Sequence, residues 1–321
     1  MRFLFALILA VFVGVSAAPA TSWAAEVTPL VDVDWIKANG HRADVVVLDI
    51  RNKLGDGSEE AYLKAHIPGA VYSDYLKAGW RTKVDGVPGQ LPPVASLENL
   101  IGSLGIDNDK HVVIVAGGKS ALDMGSATRV YFTFKVLGHN AVSILDGGHK
   151  AYAADPNNPL ESGWITPEPE TFTAEFRPWL LADKTQVAKA QAAGTTLLDN
   201  RPLAQYYGKA KHKAARRAGT IAGAYSLPEG TLTKNGGHFV TASEAGGLLQ
   251  SAGLESEGEQ IAFCNTGHWA SLGWFVSSEI LGNKGAKLYD GSMVEWSADA
   301  ASPMENGAVA RSGAAQGCTT C

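Results

Sequence analysis

Cysteine is scarce in this chain. There are three, Cys264, Cys318 and Cys321, too few and too unevenly spaced for the disulfide framework of a small exported protein. Beyond the first residues, no stretch approaches the roughly 20 apolar residues that a membrane helix needs. No bilayer-spanning segment is therefore expected after the chain's start. Positive charge is also short: the formal net charge is -5. The chain as a whole offers no electrostatic reason to bind nucleic acid or an acidic membrane, and any partner must be argued locally.

The first 25 residues, MRFLFALILAVFVGVSAAPATSWAA, carry one basic residue, an apolar run over 3–15 and small residues around Ser22, Trp23 and Ala24. That is the layout of a secretory signal, with cleavage expected after Ala24 and the mature chain exported. A lone Arg2 ahead of an Ala-rich cleavage region points to a bacterial periplasm, with a eukaryotic secretory route as the alternative. In an oxidising compartment the terminal CTTC supplies the one candidate pairing, which leaves Cys264 as an unpaired thiol.

Four motifs occur twice, in the same order. VVVLDIR (45–51) is answered by TTLLDNR (195–201), and HIPGA (66–70) by TIAGA (220–224). VVIVAGG (112–118) is answered by IAFCNTG (261–267), and VSILDGG (142–148) by AKLYDGS (286–292). An internal duplication follows. Each motif is a short apolar run ending at a polar or glycine turn, as expected of strands buried on both faces of a parallel sheet. Helical patterns lie between them. One places Val130, Phe134 and Leu137 on a face, its counterpart Leu272, Phe275, Val276 and Ile280, and Gly138 and Gly282 close the two helices at matching positions. The expected organisation is a signal over 1–24, an α/β domain over 28–155, a linker over 156–176 and a second α/β domain over 177–299. From 300 to 321 the composition turns to Ala, Ser and Gly, and a mobile tail ending in CTTC is expected.

Two domains bearing LDxR, GxIxGA, a strand ending in Cys-x-x-Gly and DGG…W resemble the rhodanese family of sulfurtransferases, over most of the mature chain. The resemblance implies tandem rhodanese-like domains, each a small parallel sheet flanked by helices, with the active cysteine in the second copy. Ala116 stands where Cys264 falls in the repeat, and the loop after Ala116 is four residues longer. The resemblance also implies transfer of sulfane sulfur from a small anionic donor, thiosulfate or 3-mercaptopyruvate, to a thiol (including a protein thiol) or cyanide. It calls for no metal and no organic cofactor. Many thiosulfate-using relatives have basic residues directly after the cysteine, and mercaptopyruvate-using ones tend to have Gly and Ser. CNTGHW (264–269) matches neither pattern, so the donor stays open between the two.

The residues point the same way without the family. A thiol at the C-terminal end of a buried strand lies at the edge where open α/β sheets bind ligands. Asn265, Thr266, Gly267, His268 and Trp269 must curl around it before a helix starts near Ala270. Amides at such a curl and at the helix start would face the sulfur and stabilise a thiolate or persulfide. Gly267 would permit the backbone angle of the turn. The plain alternative for Cys264 is a buried apolar cysteine.

The resemblance places Arg201 near the active loop as a cation for an anionic substrate, with an ordinary ion pair to Asp199 as the alternative and Asp199 as a supporting carboxylate. His268 is expected either to bind an anion or move a proton, or else to face solvent. Trp269 would wall the pocket or anchor the loop. The basic run GKAKHKAARRAG (208–219) reads as a solvated loop, or as a device that concentrates a small dianion or recruits an acidic partner. Cys318 and Cys321 form either a tail disulfide or a dithiol that exchanges with Cys264. Phosphatase chemistry would want an arginine six residues after the cysteine, where Ala270 stands. The non-enzymatic alternative is a sulfur-carrier, redox or binding module.

Overall fold

A computed structural model describes residues 27–308 and Arg311. The expected signal segment, Cys318 and Cys321 lie outside the described residues. The strands, in chain order, are β1 (Leu30–Val31), β2 (Val45–Asp49), β3 (Val71–Tyr72), β4 (Thr82–Val84), β5 (Val87–Gln90), β6 (His111–Val115) and β7 (Val142–Leu145). The second half contributes β8 (Leu181–Ala182), β9 (Thr196–Asp199), β10 (Thr220–Ile221), β11 (Tyr225–Ser226), β12 (Thr233–Lys234), β13 (His238–Phe239), β14 (Gln260–Phe263), β15 (Ala286–Tyr289) and β16 (Met304–Glu305).

Two parallel sheets form, ordered β1-β7-β6-β2-β3 and β8-β15-β14-β9-β11, so the second repeats the first strand for strand. The register repeats too: Asp49 pairs with Val115 and Asp199 with Phe263, each one residue before Ala116 or Cys264. Parallel strands need crossover connections, and helices supply them on both faces of each sheet. That coverage is why β6 and β14 read as unbroken apolar runs and are almost wholly buried.

The Ala121–Val136 helix departs from expectation. A single buried face was predicted from its periodicity, yet it is buried nearly all round. The reason lies in the other domain, whose His268–Phe275 helix packs along it. Thr128 and Ser271 share a hydrogen bond of 2.9 Å across this contact, and Phe132 meets Trp274 edge-on at 4.8 Å. Gly125 gives the His268 ring its space, since a Cβ there would stand 2.7 Å from Nε2. The counterpart helix starts at His268, two residues earlier than expected, and continues as a π-helical turn over Val276–Ile280. Gly138 and Gly282 both have positive φ, as the sequence pattern requires.

The duplication also governs how the halves meet. Each Asp-Gly motif sends its carboxylate into the other domain. Asp146 accepts from the Phe239 amide at 2.8 Å and pairs with His238 at 3.0 Å. Asp290 accepts from the Leu91 amide at 2.6 Å and pairs with Arg129, also at 2.6 Å.

The stretch expected as a linker lies along the first domain, with Glu161 bridging His66, Glu170 bonding Gly102 and Thr173 bonding Asn108. One organisational expectation needs correction. Residues 300–308, expected to be a mobile tail, fold back on the second domain. There β16 pairs with β10, the Trp296 indole donates to the Pro303 carbonyl, and Arg217 donates to the carbonyls of Asp299 and Ser302. An Ala/Ser composition had hidden segments held by backbone bonds rather than by apolar side chains.

Candidate active site

Cys264 follows β14 and is 1% exposed. Ser292 holds the loop beyond it. Its Oγ accepts from the amides of Cys264 at 3.1 Å and Gly267 at 3.2 Å, and donates to the Tyr289 carbonyl at 2.8 Å. Ser292 sits at φ +49, a region few non-glycine residues occupy. Its counterpart in the first domain is Gly148, at φ +59, which has no hydroxyl. The loop is stitched further where Met293 and Val294 donate to the carbonyls of Cys264 and Asn265. Among the described residues, the amides of Asn265, Thr266, His268, Trp269 and Ala270 have no protein acceptor.

The first domain shows what this loop does when its anion is built in. The amides of Gly117, Gly118 and Lys119, the residues after Ala116, converge on the buried carboxylate of Asp123 at 3.4, 2.6 and 3.1 Å. Burial pushes the Asp123 carboxyl up, and the three amides pull it part of the way back. The loop is thus an anion nest. One copy is filled by its own aspartate, while the other leaves the matching Asn265 and Thr266 amides unspent beside a thiol.

Arg201 does not reach this loop. It is 1% exposed, its guanidinium pairs with Asp199 at 2.5 Å, and its Nη2 also donates to the Gly219 carbonyl at 2.9 Å. Thr220 donates to the same Asp199 carboxylate at 2.7 Å. The Arg51–Asp49 pair of the first domain does the same work, reaching the Ala65 carbonyl. The ion-pair alternative therefore describes Arg201, and the LDxR motif braces each domain's strand exit. Asn265 donates its side-chain amide to Gln205 at 2.9 Å.

His268 neither faces solvent nor is free to move protons. Its Nε2 lies 2.8 Å from the Leu122 carbonyl, which can only accept, so Nε2 carries the hydrogen and Nδ1 accepts from the Tyr75 hydroxyl at 2.8 Å. Burial, followed by the Arg81 charge, lowers its pKa to about 3. Between that value and the ordinary 6.5, the unfolded chain binds a proton that the folded one refuses. Stability from this group is therefore complete above pH 6.5 and falls as the solution is acidified, by at most about 1.4 kcal/mol per pH unit. His111 and His149, each lowered to about 4 chiefly by burial, act in the same direction. Thermal unfolding should move to lower temperature between pH 7 and pH 5, and a flat profile would contradict the assignment.

Trp269 is half-buried against the shared core, which supports its role as an anchor. Gly267, at φ +74, lies against the interdomain ion pair: a Cβ there would meet Asp290 Oδ1 and Arg129 Nη1.

The residues that sequence reasoning missed come mostly from the first domain. Arg81 donates from Nη2 to the Thr266 carbonyl at 2.6 Å and hydroxyl at 3.0 Å, and from Nε to the Gly89 carbonyl. Tyr75 and Arg129 of the first domain lie near Cys264. The Tyr75–His268 contact spans 193 residues of sequence, so no local pattern could announce it. Ser292 closes a repeated motif and Asp123 lies in the lengthened stretch after Ala116, so the duplication itself was the signal that could have found them.

This fold and site define a tandem α/β protein in which the one cysteine among the described residues, Cys264, stands at a strand end before a loop whose first-domain copy is an anion nest. The pattern of the rhodanese-like domain matches residues 32–155 and 183–299, and the chain belongs to the rhodanese family of sulfurtransferases. It is 31% identical over 294 residues to the Mycolicibacterium smegmatis protein named "Putative thiosulfate sulfurtransferase", covering 87% of this chain and 98% of that one. The crystal structure of SseA from Escherichia coli, described as a 3-mercaptopyruvate sulfotransferase, superposes with a TM-score of 0.71 at 26% identity, covering 83% of this chain and 98% of SseA. Tum1 from Saccharomyces cerevisiae shares the fold, with a TM-score of 0.71 at 18% identity over 88% of this chain and 99% of Tum1. No helix among the described residues is long and apolar enough to cross a membrane.

Proposed function

We propose that the protein is an exported sulfurtransferase working by a ping-pong cycle on Cys264. The Cys264 thiolate attacks the sulfane sulfur of a small anionic donor, thiosulfate or 3-mercaptopyruvate. The donor's S–S or C–S bond to that sulfur breaks, and sulfite leaves, or the enolate of pyruvate leaves and takes up the proton of the donor's S–H. The outer sulfur of the Cys264 persulfide then passes to a thiol or cyanide, which restores the thiolate. The cycle needs no metal or organic cofactor.

The observation that carries this reading is the contrast between the two nests. Where Asp123 supplies the anion there is no cysteine, and where the cysteine stands the matching amides are unspent. Preorganised amides aimed at developing charge are the commonest large contribution to catalysis of this kind. The test is intact mass after exposure to each donor, together with assays for sulfite, pyruvate and thiocyanate. A gain of one sulfur atom per chain is expected, with turnover on at least one donor. No gain with either donor would refute the cycle, whereas loading without turnover would favour a carrier. The export signal over 1–24 belongs to the same proposal and is tested by fractionation of the expressing cell.

Ser292 gives a second test. In Ser292→Gly the backbone keeps a conformation that Gly148 already adopts in the first domain, but the hydroxyl that gathers two loop amides is gone. Turnover should fall about 10- to 100-fold, as expected for a loop released from its reactive geometry, while far-UV circular dichroism stays unchanged. Turnover within twofold of the parent would show that the hydroxyl does not position the loop.

A further inference from the structure

Over the Cys264 loop lies a cleft of about 480 Å³ lined by Tyr75, Arg81, Lys83, Lys213 and Thr266, among others. A second hollow of about 530 Å³ adjoins it, sharing Lys83, Pro88, Lys213 and Ala214 and adding Arg216, Val294 and Ala298. The first domain supplies Arg81 and Lys83, the second Lys213 and Arg216. Among the described residues, none of these four has a carboxylate within ion-pair distance. Asp85 is the one acidic residue lining either hollow.

The basic run therefore splits by function. Arg217 and Lys211 are spent on backbone carbonyls, whereas Lys213 and Arg216 are exposed at the cleft.

Resting on the sulfur cycle above, we infer that this two-domain cleft is the acceptor site and selects a small thiol that carries carboxylates. Thr266 lines the first hollow but not the second, and Arg216 the second but not the first. A donor the size of thiosulfate, with its sulfur at Cys264, fills only the inner end and leaves the outer cations unanswered. A thiol whose carboxylates sit several bonds from its sulfur answers both, and the paired hollows match the usual size of a small-molecule site. Cys264 is 1% exposed and Thr266, two residues on, lines the inner hollow, and the outer sulfur of a persulfide stands about 2 Å beyond Sγ. A slender thiol reaches it, while a bulky folded surface does not. The step balances: the acceptor sulfur bonds to the outer persulfide sulfur, the S–S bond to Cys264 breaks, Cys264 leaves as thiolate, and the acceptor departs as its own persulfide.

The experiment first loads the wild-type protein and confirms the added sulfur by mass, so that failure of the cycle itself appears as no loading. The loaded protein is then discharged with mercaptosuccinate, glutathione or neutral 2-mercaptoethanol. The wild type should prefer the two carboxylate thiols over the neutral one at low ionic strength, and the preference should shrink as salt rises. In Lys83→Gln/Lys213→Gln the ratio of kcat/KM for mercaptosuccinate to that for 2-mercaptoethanol should drop about tenfold or more, within the range expected of electrostatic focusing. Loading followed by equal discharge with all three thiols would overturn the inference. So would a double variant in which kcat/KM falls by the same factor for mercaptosuccinate and for 2-mercaptoethanol, leaving their ratio unchanged.

Discussion

Cys264→Ser protein is expected to take up no sulfur from any donor and to lose turnover by about 10³-fold or more, the scale seen when a covalent nucleophile is removed. Serine is close in size to cysteine and the position is 1% exposed, so the fold should survive the change. What disappears is the soft, polarizable sulfur able to form a disulfide-type bond with a sulfane sulfur. The loop amides remain, but the serine oxygen carries no charge at working pH. Initial rates with thiosulfate and 3-mercaptopyruvate, paired with intact mass, decide the matter. A serine variant retaining more than about a tenth of the parent rate would move the nucleophile elsewhere and end the mechanism proposed here.

Removing Arg129 should have the largest effect on stability. It is fully buried in the first domain and paired with Asp290 of the second at 2.6 Å. It also lies within 3.4 Å of the Gly267 and Gly89 carbonyls. Arg129→Leu leaves the Asp290 carboxylate buried with the Leu91 amide as its remaining donor. Breaking one side of a buried pair costs on the order of 3–5 kcal/mol, mostly because a charge is stranded. Adding Asp290→Asn removes that charge while an amide oxygen can still accept from Leu91, so the double variant should recover a substantial part of the loss. Urea unfolding of the single and double variants measures both effects. A single variant within about 0.5 kcal/mol of the parent would mean that the pair does not hold the domains together. Because Gly267 packs against the Arg129–Asp290 pair, the single variant should also turn over more slowly than its lost folded fraction explains.

Much of the architecture was legible in the residues. The ordered repeat predicted two equivalent sheets, and β2, β6, β9 and β14 lie where the apolar runs ending at Asp49, Ala116, Asp199 and Cys264 placed them. Short runs buried on both faces are a local property, readable because every residue in them must be apolar. The Ala121–Val136 helix was misread for the complementary reason. Periodicity reports one buried face, and the second is made by a helix that lies far along the chain.

At the site the division is sharper. Cys264, its strand and Gly267 could be read in sequence because a strand end, a turn glycine and a helix start are consecutive. Arg201 was assigned to substrate because the family resemblance places that arginine near the active loop, and His268 because a histidine in the cysteine loop can bind an anion or move a proton. Their actual partners, the Gly219 carbonyl for one and Tyr75 with the Leu122 carbonyl for the other, are a matter of folding geometry.

By itself, then, the sequence determined the duplicated α/β frame, the strand that presents Cys264 and the absence of a cysteine at Ala116. Each follows from the identity and local order of side chains. Only the tertiary structure decided that the first domain's nest is closed by Asp123, that Ser292 holds the second one open, and that Tyr75, Arg81 and Arg129 cross the interface to frame it. Those outcomes depend on which groups lie within about 3 Å once two sheets and their helices are packed, and hydrogen bonds act only at that range.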